Sequence, residues 1–422
     1  MSGVRQWLDQ TKSRGMKLGL ERVHAAHNLL IQSYESTIVH VAGSNGKGTV
    51  CALMATHLNR LNQTTVMFTS PHLVRLEERI RIDGVPITEK QLNSYLSRIQ
   101  ETESDLGIKL TFFEITFLAS CLCAQEHSPD VFIIETGLGG RFDATRIVPA
   151  DLCLLTSIQL EHRDILGETL AEIAAEKAAI ARPNKAMLVR EIQDTEARSA
   201  IEYETRHAGQ DNLGEIPSPA SLEWIQIDSG SSMKEEAMAL AKATLNHLNF
   251  NIDSLDESML ALNWPGRMQH IEPMSWGGSL FVDAAHNLSG LKRVIPTLVD
   301  LLSSQQEWSL VFGCTPKDDL EEFVQPLLDL CKKHPPTNVL LTVPQTGRHP
   351  GVSIAKLVEF DWHCLKSVIP ASNSKETRQV LEKIQPEYTL AIGSLYLIGE
   401  LFEVLRLSGS KHLELFPPNT QR

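Results

Sequence analysis

Apolar positions divide the chain into two series of strand-like runs. The first lies at 37–42, 65–68, 130–135, 151–158 and 185–189, with helix-like stretches between. The second lies at 279–283, 308–313, 338–342 and 388–393, again separated by helical patterns. Short β-branched runs alternating with helices predict mostly parallel sheets, because each parallel pair needs a crossover connection. Between the series, Asn263-Trp-Pro-Gly-Arg267 sets Pro beside Gly, a hinge signal. The boundary is predicted near 268, giving domains of 1–268 and 269–422. The stretch from about 191 to 232 is polar with little periodicity and reads as a loop-rich segment closing the first domain.

Three helix starts are legible. Val50, Leu53, Met54, Leu58 and Leu61 share one helical face after the run at 37–42. Thr169-Leu-Ala-Glu172 is a capping box that predicts a helix over Leu170–Ala181, with Pro183 just past its end. Thr111-Phe-Phe-Glu114 is a second capping box, ahead of Ile115-Thr-Phe-Leu118.

Composition narrows the class. A chain of 422 residues exceeds what one hydrophobic core usually serves, which agrees with two domains. A net charge of −13 argues against a nucleic-acid binder and leaves anionic ligands to local lysines and arginines. The seven cysteines are odd in number and sit mostly in apolar runs, which predicts buried thiols in a reducing compartment. Cys121-Leu-Cys123 lacks a second ligand pair at zinc spacing and reads as core. No apolar run reaches transmembrane length, and the start Met1-Ser-Gly-Val-Arg-Gln-Trp7 does not read as a signal peptide, so a cytoplasmic location is expected.

The chemistry concentrates where strand-like runs end. Val41-Ala-Gly-Ser-Asn-Gly-Lys-Gly-Thr49 joins a strand to a helix through a glycine-rich turn, the arrangement that offers backbone amides and a helix N-terminus to phosphates. Asn45, Gly46, Lys47, Gly48 and Thr49 form the expected nucleotide site, with Lys47 near the β/γ-phosphates and the Thr49 hydroxyl toward Mg²⁺. Gly48 separates Lys47 from Thr49, a departure from the common G-x-x-x-x-G-K-[ST] spacing. The plainer alternative is a glycine-rich turn with a surface lysine. Ser70, Glu135, His162 and Asp283 likewise follow strand-like runs, where open parallel sheets bind ligands. Glu135 is placed to coordinate Mg²⁺ or, more blandly, to cap the next turn.

Further blocks occur in one order along the chain: Leu18-Gly-Leu-Glu-Arg22, Ser70-Pro-His-Leu73, Glu135-Thr-Gly-Leu-Gly-Gly-Arg-Phe-Asp-Ala-Thr145, Pro265-Gly-Arg267, Asp283-Ala-Ala-His-Asn287 and Gly393-Ser394. With Gly43-Ser-Asn-Gly-Lys-Gly-Thr49 they resemble the folylpolyglutamate synthase/dihydrofolate synthase family, a branch of the Mur-ligase superfamily. The resemblance implies an α/β fold, with a P-loop central domain on a mostly parallel sheet and a smaller Rossmann-like carboxyl-terminal domain. It implies Ser70, Glu135 and His162 as metal ligands, two Mg²⁺ ions, and ATP as co-substrate. It assigns Leu18, Gly19, Thr111, Phe112, Phe113, Glu114, Phe142, Asp143 and Ala144 to the folate. Arg267 and Asp283 would serve the nucleotide, and His286 and Ser394 the incoming glutamate. Asn287 is expected to cap the helix that follows it. Lys177, ringed by alanines, is implied to be carbamoylated and catalytic alongside Lys47 and His286; the plain alternative is a solvated helix lysine. For Thr111 and Glu114 the capping role and the pterin contact stand side by side.

Four positions depart from the family pattern. Lys17 stands where an acidic residue is common in bifunctional members, Glu161 replaces the aspartate before His162, and Arg146 replaces an asparagine. Glu235-Glu-Ala237 stands where an adenine-contacting block is usual. The implied activity is ATP-dependent addition of L-glutamate to a folate through an acyl phosphate, by a monomer without nucleic-acid or membrane partners; use of 7,8-dihydropteroate as a second acceptor stays open, because Lys17 puts a cation where an acidic residue often serves that acceptor. The rivals are an amide ligase with another carboxylate acceptor and a nucleotide-binding regulatory protein without turnover.

Overall fold

The computed structural model describes residues 3–15, 17, 19–210, 216–228, 230–303, 305, 307–317, 319–347 and 350–416. The chain forms two compact units, one of 1–72, 76–262 and 415–422, the other of 73–75 and 263–414. No helix among the described residues is long and apolar enough to cross a membrane.

The first unit is built on an eight-stranded sheet. Its strands are β1 (Thr37–Ala42), β2 (Thr65–Phe68), β3 (Ile80–Ile82), β4 (Val85–Pro86), β5 (Val131–Glu135), β6 (Leu152–Leu155), β7 (Ala186–Arg190) and β8 (Ser221–Ile225). The order is β4-β3-β2-β5-β1-β6-β7-β8, with only the β2–β3 and β3–β4 pairs antiparallel. β1 therefore runs through the middle, in register with β5 at His40↔Ile134 and with β6 at His40↔Cys153. It is buried on both faces, which is why it reads as a continuous apolar run.

The helix Lys47–Arg60 leaves β1 and is buried all round from Val50 to Leu58, wider than the single apolar face predicted. The helices Met233–His247 and Leu255–Ala261 cover its outer side. His57 is anchored there by the Ser258 hydroxyl at 2.9 Å and the Asn251 carbonyl at 2.7 Å.

The segment 191–232 is not simply a loop. It holds the helix Thr195–Arg206, capped by the Asp194 side chain, and the edge strand β8. Ala197, Ile201 and Thr205 bury one narrow stripe, and the polar remainder of the helix hid that period. The predicted helix Leu170–Ala181 stops at Ala178, where the chain turns into the buried Ala179–Arg182 stretch.

The second unit carries a six-stranded sheet of β9 (Gln269–Ile271), β10 (Ser279–Asp283), β11 (Trp308–Phe312), β12 (Asn338–Thr342), β13 (Ser367–Ala371) and β14 (Tyr388–Ile392). The order is β13-β12-β11-β14-β10-β9, parallel except for β9 against β10. The carboxyl ends of β11, β14 and β10 are thus neighbours. Both sheets agree with the mostly parallel α/β fold expected from the sequence.

Candidate active site

The turn after β1 is held from the side by the loop after β6. Ser44 N–H donates to the Ser157 carbonyl at 2.7 Å, and Asn45 N–H to the Ser157 hydroxyl at 3.2 Å. The Thr156 hydroxyl donates to the Asn45 carbonyl at 2.8 Å, and the Asn45 side-chain amide to Gln159 Oε1 at 2.7 Å. Gly46 caps the helix with a left-handed φ of +86°, and space around it is open. The first amide of the helical ladder is Val50 N–H, bonded to the Gly46 carbonyl at 3.0 Å. The amides of Lys47, Gly48 and Thr49 precede that ladder, which makes them donors for an anion.

Two ammonium groups converge on this turn. Lys47 Nζ donates to the Gly43 carbonyl at 2.7 Å, and Lys177 Nζ donates to the same oxygen at 3.2 Å. Lys177 is not the solvated lysine of the plainer reading, since only 2% of it is exposed. Burial lowers its pKa to about 8, Lys47 adds repulsion, and Glu161 and Asp143 pull the other way. Glu161 Oε1 lies 2.8 Å from Lys177 Nζ. Burial opposes the Glu161 charge, but Lys177, Lys47 and Ser44 together hold its pKa below the usual value. Glu161 therefore has a structural counterpart that its sequence position did not reveal.

The expected metal residues are placed unequally. Glu135 ends β5, is buried, and accepts the Ser70 N–H at 3.0 Å through Oε2. His162 is exposed and takes a left-handed φ of +45° as N-cap of the helix Arg163–Leu166. Among the described residues no group of three or more His, Cys, Asp or Glu side chains gathers as a metal cage. The Glu135 carboxylate beside Ser70 is a hard oxygen donor set, which suits a Mg²⁺ ion that keeps waters and phosphate oxygens as its other ligands.

Of the residues assigned to the folate, Leu18 lies outside the described residues. Gly19 has a φ of +106°. Arg22 Nη2 donates to the Lys17 carbonyl and to Glu114 Oε1, each at 3.2 Å, tying that loop to the helix Phe112–His127. The Thr111–Glu114 capping box is present in both directions. Phe113 meets Phe68 edge-on, and the Phe112 ring lies under Lys12 Nζ at 5.5 Å and the Arg79 guanidinium at 5.2 Å. Phe142 is exposed, whereas Ala144 is buried. Asp143 is buried and its carboxylate is used locally, accepting from Thr145 and from Leu138 N–H. Burial raises its pKa, against those same hydrogen bonds.

Two departures have local explanations. Buried Arg146 donates its Nε–H to the Ala179 carbonyl at 2.7 Å, joining the turn 144–147 to the end of the helix Leu170–Ala178. Glu236 is buried in the first turn of the helix Met233–His247 and pairs with Arg190 at 3.1 Å.

In the second unit, the strand-end residues mostly serve the backbone. Asp283 is buried and accepts Met268 N–H at 2.9 Å and Ala285 N–H at 2.8 Å. Burial raises its pKa, with Arg267 opposing. Arg267 itself is half-buried. Ser394 is buried as N-cap of the helix Leu395–Val404. Asn287 accepts Gly290 N–H at 2.7 Å, the capping role expected of it. His286 is exposed, with Nδ1 3.0 Å from the Ala284 carbonyl. Sequence reasoning missed Lys317, in the loop after β11. Its partial burial lowers its pKa, and its amine donates to the Thr315 hydroxyl at 3.2 Å. The strand-end rule applied to 308–313 was the signal available for it.

No family model matches the chain. It is 31% identical over 308 residues to the dihydrofolate synthase/folylpolyglutamate synthase of Escherichia coli (strain K12), covering 69% of this chain and 72% of that protein. The protein of the same name from Bacillus subtilis (strain 168) is 26% identical over an alignment of 440 residues, covering 96% and 98%. Among solved structures, a bifunctional folylpolyglutamate synthase/dihydrofolate synthase with Mn, AMPPNP and L-glutamate bound is similar at a TM-score of 0.77 and 25% identity, covering 96% of this chain and 98% of that one. Identity above 30% across two thirds of a relative, with near-complete structural coverage by another, leaves one assignment: the chain belongs to the dihydrofolate synthase/folylpolyglutamate synthase family.

Proposed function

We propose that the protein is an ATP-dependent carboxylate–amine ligase that adds L-glutamate to a folate, with 7,8-dihydropteroate as a second acceptor. The observation that carries this reading is Lys47, whose ammonium donates to the Gly43 carbonyl at 2.7 Å beside the amides of residues 47–49 at a helix N-terminus. That is a site for a polyphosphate. The related structure with AMPPNP, Mn and L-glutamate bound supports the same nucleotide class, a divalent ion and the same amine donor here.

In this mechanism Lys47 and the amides of residues 47–49 hold the β- and γ-phosphates. The acceptor carboxylate attacks the γ-phosphorus, giving an acyl phosphate and ADP. The glutamate amine then adds to the acyl carbon, and the tetrahedral intermediate expels phosphate. Two anions meet in the first step, so charge neutralisation and alignment dominate the barrier. Glu135 and Ser70, with Thr49 and His162, would hold Mg²⁺, which when bound neutralises phosphate charge. A pKa near 8 leaves part of Lys177 neutral at physiological pH, the form that reacts with CO₂. The resulting carbamate would supply an anionic oxygen to a second ion.

Gly19, Thr111–Glu114 and Phe142–Ala144 are assigned to the acceptor. Arg267 is assigned to the nucleotide and His286 to glutamate, while Asp283 and Ser394, expected beside them, hold backbone amides in place. The first domain is the ATP-binding one and the second the glutamate-ligase one. We place the protein in the cytoplasm as a monomer. Mass spectrometry of products formed from tetrahydrofolate and from dihydropteroate, each with ATP and L-glutamate, tests the reading. Addition of one glutamyl unit, with matched ADP release, is expected. ATP hydrolysis indifferent to both acceptors would remove the folate assignment.

A further inference from the structure

His40 is a polar residue in a strand flanked by parallel neighbours on both sides and buried from Ile38 to Ala42. It lies in the middle of β1, with β5 on one side and β6 on the other, and is 0% exposed. A chain that needed only a strand here would place an aliphatic residue at that position. The imidazole is held neutral, its pKa driven well below the usual value by burial and by Arg182 and Arg146. Neutral histidine carries one proton, so only one of its nitrogens donates.

The hydrogen bonds around it decide which. Nε2 lies 2.8 Å from the Thr145 hydroxyl and 2.9 Å from the Thr136 hydroxyl. Thr145 spends its own proton on Asp143 Oδ1, at 2.5 Å. The Thr145 oxygen is therefore left to accept, and the proton must sit on His40 Nε2. Among the described residues Nδ1 has no hydrogen-bond partner, which fits this tautomer, since a bare lone pair is the cheaper group to leave unmatched. The result is a directed relay from His40 Nε2–H to Thr145 Oγ, and from Thr145 Oγ–H to Asp143 Oδ1.

Asp143 closes the loop that leaves β5. Its Oδ1 also accepts Thr145 N–H at 3.0 Å, and its Oδ2 accepts Leu138 N–H at 2.9 Å, bridging the two ends of 138–145. The fit is close: a Cβ on Gly137 would sit 2.4 Å from the Phe113 ring and 3.1 Å from Asp143 Oδ2. Thr136, Thr145 and Asp143 are all buried, so no water substitutes readily for a missing member of the relay.

We propose that His40 is a positioning residue for the acceptor: from inside the central sheet it fixes, through Thr145, the Asp143 carboxylate that shapes the Gly137–Asp143 loop. The functional part of this rests on that loop holding the folate, as proposed above. His40 touches no substrate. It sets the geometry of the residues that do, at a place where small displacements are costly.

Three variants test it. Thr145→Val removes the hydroxyl and keeps the shape, His40→Leu removes the donor, and His40→Gln returns an amide donor near the Nε2 position. Thr145→Val and His40→Leu should each raise KM for the folate acceptor about tenfold while KM for ATP stays within about twofold. Amide hydrogen exchange across 137–145 should accelerate in both, and His40→Gln should recover most of both effects. A merely structural residue would lower Tm without splitting the two KM values and without rescue by glutamine. Equal KM shifts for ATP and acceptor, or unchanged exchange at 137–145 in Thr145→Val, would overturn the proposal. If the wild-type protein glutamylates no folate, the acceptor reading fails by itself, and the exchange data still decide the relay. Should His40→Leu not fold, Thr145→Val and His40→Gln carry both readouts.

Discussion

The loops at the strand ends of the two units use the same residue types in opposite ways. In the first unit, neutral side chains such as Ser44, Thr156 and Gln159 fix the turn after β1, and the charged groups Lys47, Lys177 and Glu161 are left crowded against one another. In the second unit the conspicuous residues Asp283, Asn287 and Ser394 are consumed by backbone amides. A motif residue is thus left facing other charges in one place and is a splint in the other. The Lys47–Lys177 repulsion is offset in part by Glu161 and relieved further by an arriving anion, whereas a splint stabilises the fold at all times.

The sharpest break between the two comes from Lys47→Ala. It should reduce ligation by roughly three orders of magnitude, because Lys47 is the charge proposed to hold the β- and γ-phosphates. Tm should not fall, since the change also relieves the repulsion that depresses Lys177. A clear loss of Tm together with retained turnover would reverse the assignment of the first unit.

Asp283→Ala should do the opposite, costing about 2–3 kcal/mol in urea unfolding by stranding two buried amides. If stability held and only KM for ATP rose, Asp283 would be a ligand group after all. Ser394→Ala removes an N-cap and should cost about 1 kcal/mol on the same assay. A large loss of glutamate affinity at unchanged stability would instead move Ser394 to the substrate.

The smallest effect concerns pH. Lys177 has a folded pKa of about 8 against an ordinary 10.5, so the unfolded chain binds more protons between those values. Wild type should therefore gain stability relative to Lys177→Met as pH rises from about 8 toward 10.5, with no such gain below 8. Urea midpoints at spaced pH values check the slope; a fall across that window would contradict the burial argument.

Much of the fold was legible because buried parallel strands announce themselves. The nine runs read from the sequence all correspond to strands, from Thr37–Ala42 to Tyr388–Ile392. What escaped was short or lay at an edge: the antiparallel additions β3, β4 and β9, half-exposed β8, and β13, whose Pro370 argues against a strand. In the site, the turn around Lys47 was readable because its glycines and lysine are contiguous. The partners of Lys177 were not, because its acceptor Gly43 lies 134 residues away and Glu161 sits outside its helix. His40 gave no signal at all: alternate β-branched neighbours make it look like an interruption in a strand, and its use depends on Thr145, 105 residues on.

The two glycines at either end of the phosphate turn make different demands on heredity. A side chain at Gly43 would place its Cβ 1.9 Å from the Thr156 hydroxyl, at a φ of +142°, whether or not a nucleotide is present. Among the described residues a Cβ at Gly46 meets nothing within 4 Å, and the φ of +86° is what resists it. In a saturation library scored for growth on limiting folate, both positions would look equally intolerant. Scored for protein abundance they should separate, with Gly43 variants depleted and small Gly46 variants retained. Abundance and growth together would thereby mark, codon by codon, where the turn is shaped for its own chain and where it is kept clear for a guest.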